Sequence, residues 1–315
     1  MTAAPDPVTA LAEERVMARA NKDFVRSDQL RDEIAQLGWL IKDTSEGFSL
    51  TEAPAFAITA NLGALIDQHA GSVSGTTVIL VIVDGWPEDT RACLTALLAH
   101  APSGSRVLAI DCGNIEGAGL VVHELANTHE NLSEFHFPQT LPELGWANVV
   151  NAAIAVASSD FFAVMDLSTI WEGDALTPVL EVFAEPQVAL SGWRGVNVDV
   201  SQEWREFIPA TLGSVDAMLG YFLVARTSVA REIGPDVKAK FYRNADMEWS
   251  LAIRAAGFEV VIPEGELPLR QERHHGYHDT EPEYRDKQSK KTYDRLLQKF
   301  RKTPEILHKG EVRGD

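Results

Sequence analysis

Hydrophobic positions along this chain follow two different rhythms, and the change falls near Thr76. Before it, residues from about Val8 to Leu37 carry Leu11, Val16, Phe24, Leu30, Ile34 and Leu37 in an imperfect helical stripe, interrupted around Asn21 and Ser27. Gly38 suits a helix stop. Trp39-Leu40-Ile41 and Phe48-Ser49-Leu50 then flank a polar turn, Asp43 to Gly47, which predicts a small hairpin. After Thr76 the pattern is short apolar runs alternating with amphipathic stretches. TTVILVIVDGW predicts a buried strand, and Glu88 to His100 a helix with Cys93, Leu94, Leu97 and Leu98 on one face. SRVLAIDCGN predicts a second strand. Leu120 to Val122 fits a strand or a helix, Leu144 to Ala157 a helix, and FFAVMDLST another strand. Strands alternating with helices imply an α/β, Rossmann-like domain: a mostly parallel sheet with helices on both faces. The whole reads as a small helical and hairpin module over 1–52, a linker over 53–75, the sheet domain over 76–280, and a basic helix with tail over 281–315.

Composition narrows the function. Of 315 residues 45% are apolar, enough for a sizeable core, but the longest run, Val78 to Val83, is only strand-length. No transmembrane helix is expected, because one needs roughly 20 such residues. The N-terminal MTAAPDPVTALAEE shows no basic segment followed by an apolar one, so no signal peptide is expected, and two cysteines exclude a disulfide scaffold. A cytoplasmic location follows. The net charge of −18 argues against nucleic acid as a partner. The exception is a local basic run from Lys287 to Lys302, which reads first as a solvated helix face.

Three apolar strands each end in an aspartate: Asp84, Asp111 and Asp166. In such sheets ligands bind beyond the carboxyl ends of the strands. A carboxylate there can accept hydrogen bonds from a nucleoside or hold a hard cation. Each could equally start a turn or cap a helix.

The stretch from Thr76 to His278 resembles family 2 glycosyltransferases of the GT-A fold. VILVIVDGW is similar to the family's first nucleotide-binding strand. VLAIDCGN is similar to the strand whose aspartate contacts the base, here Asp111. GWANVVNAAIAVASSDFFAVMD resembles the helix and strand that lead into the acidic motif, with Asn148 and Asn151 on the helix. FYRNADMEWSLAIRAAGF resembles the acceptor-site helix that opens on an acid, and ERHHGYHD the downstream histidine that completes a metal site. The resemblance implies a transferase moving a sugar from a UDP- or GDP-sugar to an unidentified acceptor hydroxyl. Inversion with Asp246 as general base, and Glu248 as its substitute, is the expected course. Asp84, Asp111, Asp166 and Asn148 are the implied donor-binding residues. Asp166 with His274 or His275 would hold Mn²⁺ or Mg²⁺. One departure bears on the metal: the motif reads Asp166-Leu167-Ser168-Thr169, so a hydroxyl stands where the family's second carboxylate is usual. That departure keeps open a catalytically silent nucleotide- or partner-binding protein on the same scaffold. Trp193, in a Gly-Trp-Arg-Gly segment, is a candidate for stacking on a sugar or base.

The front module resembles the C-terminal segment of cysteinyl-tRNA synthetases, through Ser27-Asp28-Gln29-Leu30-Arg31-Asp32-Glu33, Gly38 and Asp43-Thr44. The synthetase's catalytic signatures are missing, so aminoacylation is not expected. An RNA-binding adaptor role is one implication; packing within the chain or against a protein partner suits the acidic balance of the segment better.

Overall fold

A computed structural model of the chain describes residues 4–44 and 47–308. They form two compact units, divided between Ala57 and Ile58. The first unit holds α1 (Asp6–Ala20), α2 (Phe24–Gln36), β1 (Trp39–Thr44) and β2 (Gly47–Glu52). The interrupted helical stripe is thus two helices. Lys22 takes a positive φ of 62°, and Asp23 caps the second helix by accepting from the Arg26 N–H at 3.0 Å. The hairpin forms as expected, with Ile41 opposite Leu50, and Val8, Ala12, Ile34 and Trp39 make a small core. Ser45 and Glu46 of its turn lie outside the described residues.

The second unit is built on β3 (Thr77–Val83), β4 (Ser105–Cys112), β5 (Leu132–Phe137) and β6 (Phe161–Met165), all parallel. Alternation along β3 sends Val78 and Leu80 to one face and Ile79, Val81 and Val83 to the other. Helices cover both faces: α4 (Pro87–His100) and α5 (Ala118–Ala126) on one, α6 (Trp146–Val156) on the other. The stretch read as a linker contains α3 (Leu62–His69), whose fully buried Leu65 belongs to this core.

The sheet is mostly parallel, as expected, and takes in antiparallel strands beyond β6. Short β7 (Thr169–Trp171) is followed by β8 (Val188–Gly192), β9 (Gly213–Ser214), β10 (Phe222–Arg226) and β11 (Glu259–Ile262). Strand β10 lies antiparallel between β6 and β8, so the eight-stranded order is β9-β11-β8-β10-β6-β3-β4-β5. Helix α7 (Ala245–Ala255) opens beside the sheet's carboxyl edge. Strand β12 (Leu269–Gln271) pairs with β7 and delivers the next residues to that edge. The basic run becomes α8 (Pro282–Phe300), whose Leu296 and Phe300 pack with Met247 and Leu251 of α7. Part of the run is paired, Arg295 and Lys299 with Glu248 and Asp236, Lys290 with Asp294 and Arg301 with Glu203, while Lys287, Lys291 and Lys302 are exposed. Among the described residues, no helix is long and apolar enough to cross a membrane.

Candidate active site

A cleft runs along the carboxyl edge of the sheet in three connected lobes. The first, about 60 Å³, is lined by Asp84, Trp86, Asp166, Tyr242, Asp246 and His274 among others. The second, about 530 Å³, shares Asp166, Gly220, Tyr242, Asp246 and His274 with it and extends past Tyr221, Arg243 and Tyr277. The third, about 360 Å³, shares Asp84, Trp86 and Leu141 with the first and reaches Cys112, Gly113 and Asn114.

Strand β3 runs into Asp84, after which the chain turns through Gly85 (φ 148°) and Trp86 (φ 52°) into α4. A tryptophan with positive φ is a strained position, and such strain collects at ligand sites. Burial raises the Asp84 carboxyl to about 7, and the nearby Asp166 charge adds to this. Asp166 follows β6. Burial alone would raise it too, but hydrogen bonds from His274 and Ser168 outweigh that and hold it below its ordinary range. His274 Nε2 lies 2.9 Å from Asp166 Oδ2. Its ring stacks on Tyr242 at 4.9 Å, and its Nδ1 accepts from the Tyr277 backbone N–H at 3.1 Å, which leaves the proton of a neutral ring on Nε2. Burial works against a charged His274, yet the Asp166 contact raises its pKa overall.

Ser168 makes no second metal arm. Its hydroxyl and its backbone N–H both donate to Asp166 Oδ1, at 2.5 and 2.8 Å. The metal question therefore rests on Asp166 and His274. Asp166 Oδ2 and His274 Nε2 lie 2.9 Å apart, a spacing that neighbouring ligands of a small cation share, but Nε2 can bind one only once its proton moves to Nδ1 and the Tyr277 N–H is released. Among the described residues, no group of three or more His, Cys, Asp or Glu converges as a metal cage, so the remaining ligands would come from outside the protein.

Asp246 stands in the first turn of α7, at the junction of the first two lobes. Asn244, with φ 68°, starts the helix, and its side-chain amide donates to the Ser289 carbonyl at 3.0 Å. The Gly220 N–H donates to Asp246 Oδ2 at 2.8 Å and the Met247 N–H to Oδ1 at 2.8 Å. Burial raises this carboxyl to about 6 against those two bonds. The Tyr242 hydroxyl, at the same junction, is buried with no hydrogen-bond partner. Leaving a buried hydroxyl unpaired costs about 1–3 kcal/mol, a cost that a bound ligand would offset.

The cleft thus brings together Asp84, Asp166, Asp246, His274 and His275, and leaves the other expected residues outside it. Asp111 is fully buried within β4. Its Oδ1 accepts from the Asn114 N–H at 3.0 Å, its Oδ2 meets His136 Nδ1 at 3.1 Å, and a Cβ on Gly119 would lie 2.4 Å from Oδ2. It shapes the loop to Asn114 and lines no lobe. Asn148 donates to the Leu144 carbonyl at 2.7 Å, holding the start of α6. Glu248 points to α8, where Arg295 grips both its oxygens at 2.7 and 2.5 Å. His275 lines the first lobe but pairs with Asp279 at 2.5 Å and stacks on Trp86 at 5.9 Å, so His274 alone meets Asp166. Trp193 lies beside the cleft under Arg194, 4.1 Å from the guanidinium carbon. Sequence reasoning missed Trp86, Tyr242, Arg243 and Tyr277. The clue was local: each stands within four residues of an acid or histidine singled out as functional.

Residues 77–231 match the family described as Glycosyl transferase family 2. Among solved structures, GalNAc-T7, crystallised with UDP, GalNAc and Mn²⁺, superposes with a TM-score of 0.55 at 11% identity, over 71% of this chain and 48% of its own. The mannosyltransferase PcManGT of Pyrobaculum calidifontis, solved with GDP-Man and Mn²⁺, gives 0.48 at 14% identity, over 60% and 55%. The fold is of the GT-A type. Among curated proteins, the cysteine–tRNA ligase of Phocaeicola vulgatus is 52% identical over 42 residues, and that of Opitutus terrae 51% over 49. Those matches take in 13% and 16% of this chain but only 8% and 11% of the ligases, so the chain spans about a tenth of the relatives' length.

Proposed function

We propose that this chain, through the domain matched to Glycosyl transferase family 2, moves a sugar from a nucleotide-sugar donor to an acceptor hydroxyl. The observation that carries the reading is Asp246, a carboxylate held by two backbone N–H groups where a lobe bearing Asp84 and Asp166 meets a wider, aromatic one. The nucleoside would occupy the third lobe beside Cys112 to Asn114, and the diphosphate would lie near Asp166 and His274. Asp111 acts on the base only indirectly in this arrangement, by fixing Asn114.

The acceptor would enter the second lobe. Its hydroxyl oxygen attacks the anomeric carbon of the donor sugar and its proton passes to Asp246. The bond from that carbon to the diphosphate oxygen breaks, and a nucleoside diphosphate leaves. Attack from the side opposite the leaving group gives inversion. Tyr242 offers its free hydroxyl to a sugar at the junction. Asp166 and His274 would hold Mn²⁺ or Mg²⁺, which when bound supplies positive charge against the departing diphosphate.

Ser168, turned back on Asp166, favours one second reading: a scaffold that binds nucleotide without turning it over. Calorimetric titration with UDP and GDP, each with and without Mn²⁺, tests the donor site. Micromolar binding of one nucleotide is expected, and a folded protein that binds neither sinks the proposal. Slow release of nucleoside diphosphate from the matching nucleotide sugar separates the enzyme from the silent binder.

A further inference from the structure

The arginines of this chain fall into three groups, and one group is confined to the cleft. The sequence carries 46 acidic against 28 basic residues, so carboxylates are plentiful partners. Of the 17 arginines among the described residues, 11 ion-pair with a carboxylate. Arg106, Arg226, Arg231 and Arg254 donate to backbone carbonyls and so serve the fold. Arg194 and Arg243 do neither. Arg194 donates to the Gln271 amide oxygen at 3.1 Å and lies 4.1 Å above Trp193 and 5.5 Å above Tyr221. Arg243 bonds the Tyr277 hydroxyl and lies 4.9 Å above the same ring.

These neighbours place both guanidiniums at the second lobe, whose lining includes Arg243 itself and Tyr221, Gln271 and Tyr277. A guanidinium held against an aromatic side chain is kept in place while its remaining N–H groups stay available for a phosphate or carboxylate. Among the described residues no carboxylate fills that role. Asp286 feels the charge of Arg243, but Arg285 already holds it at 2.9 Å. Asp246 feels it too, with its oxygens occupied by backbone N–H groups. In a molecule of net charge −18, two cations without a carboxylate partner at one lobe offset the Asp166 and Asp246 carboxylates there and keep donors for an anion.

We propose that the second lobe takes an anionic acceptor: a sugar or polyol whose phosphate or carboxylate is gripped by Arg243 and Arg194 while a hydroxyl faces Asp246. This rests on the transferase reading, since it assigns the acceptor of the same site.

The test titrates the intact chain with glucose 6-phosphate, glucuronate and glucose, with and without the nucleotide that binds. Charge-assisted bonds predict that at least one anion binds about tenfold or more tighter than glucose. That advantage should vanish in Arg243→Gln, shrink in Arg194→Gln and partly survive in Arg243→Lys, while nucleotide affinity changes by less than about threefold. Anions binding no better than glucose would overturn the proposal. So would glutamine variants that weaken the nucleotide as much as the anion, because the guanidiniums would then belong to the donor's diphosphate. A chain that binds no nucleotide fails the transferase reading instead, and the anion preference is still read in the nucleotide-free titrations. A preference for glucose 6-phosphate or for glucuronate identifies which anion the pair was built for.

Discussion

At the residue scale, Asp246 and Glu248 show how two carboxylates on one helix part company. They are two positions apart on α7, about 200° around a helix of 3.6 residues per turn. Asp246 therefore faces the cleft, and Glu248 faces α8 and its arginine. Chemistry lost in Asp246→Asn, with nucleotide affinity retained, is the expected signature of a base. Turnover should fall at least about 100-fold. Burial raises the Asp246 carboxyl to about 6, and a base must be ionised to accept a proton. Turnover of the wild type should thus be flat above that pH and drop roughly tenfold per unit below it, as read from kcat against pH. A profile still flat at pH 5 would remove Asp246 from the role. Sequence resemblance singled out Asp246, Asp166 and His274, and all three line one cleft. It misplaced Asp111 for a physical reason: the residue ends a strand, but strand alternation and the close approach of Gly119 turn its carboxylate into the protein, toward His136. Arg243 and Arg194 were illegible, since what sets them apart is the absence of a partner, a property of the folded surroundings.

At the element scale, the parallel strands could be read directly because β3, β4 and β6 are continuous apolar runs buried on both faces. The strands from Val188 to Arg226 could not. They are short and interleaved with polar segments, and the reversal that puts β10 between β6 and β8 is decided by pairing partners far apart in sequence. The same holds for α8, whose basic residues read as a solvated face. Arg295 and Lys299 instead converge on Glu248, and Asp236 closes the cluster at 3.4 and 2.6 Å from them. Together with the bond from Asn244 to Ser289, this ties α8 to the helix that carries Asp246. Removing Arg295 leaves the buried Glu248 with Lys299 as its remaining cation, at a cost of about 1–2 kcal/mol. Arg295→Ala should therefore lower the melting temperature by about 2–6 °C. The double variant Arg295→Met with Glu248→Gln, which leaves no unpaired charge, should recover part of that loss. Single and double variants melting alike would show that α8 is held by Leu296 and Phe300 alone.

At the scale of the whole molecule, the two units carry resemblances that pull toward different partners, and charge decides between them. The short similarity to cysteine–tRNA ligases suggests RNA contact, which requires clustered, available cations. The unit up to Ala57 has six basic residues (Arg15, Arg19, Lys22, Arg26, Arg31, Lys42) against ten acidic ones, a net charge of 6 − 10 = −4. All four of its arginines are engaged with carboxylates of the same unit: Arg15 and Arg19 with Asp43, Arg26 with Glu14 and Glu33, and Arg31 with Asp28. Three of those make surface contacts that phosphate could outcompete, but Arg15 is almost fully buried and the remaining cations are outnumbered by the unit's carboxylates. The rest of the chain adds further negative charge, so any polyanion approaches against the field of the entire molecule. Fluorescence anisotropy with labelled bulk tRNA should accordingly show no binding at micromolar protein, even at about 50 mM salt where non-specific contacts are strongest. Binding that weakened steeply as salt rose would contradict this. Absence of binding would fit a unit whose arginines are already held in its own ion pairs.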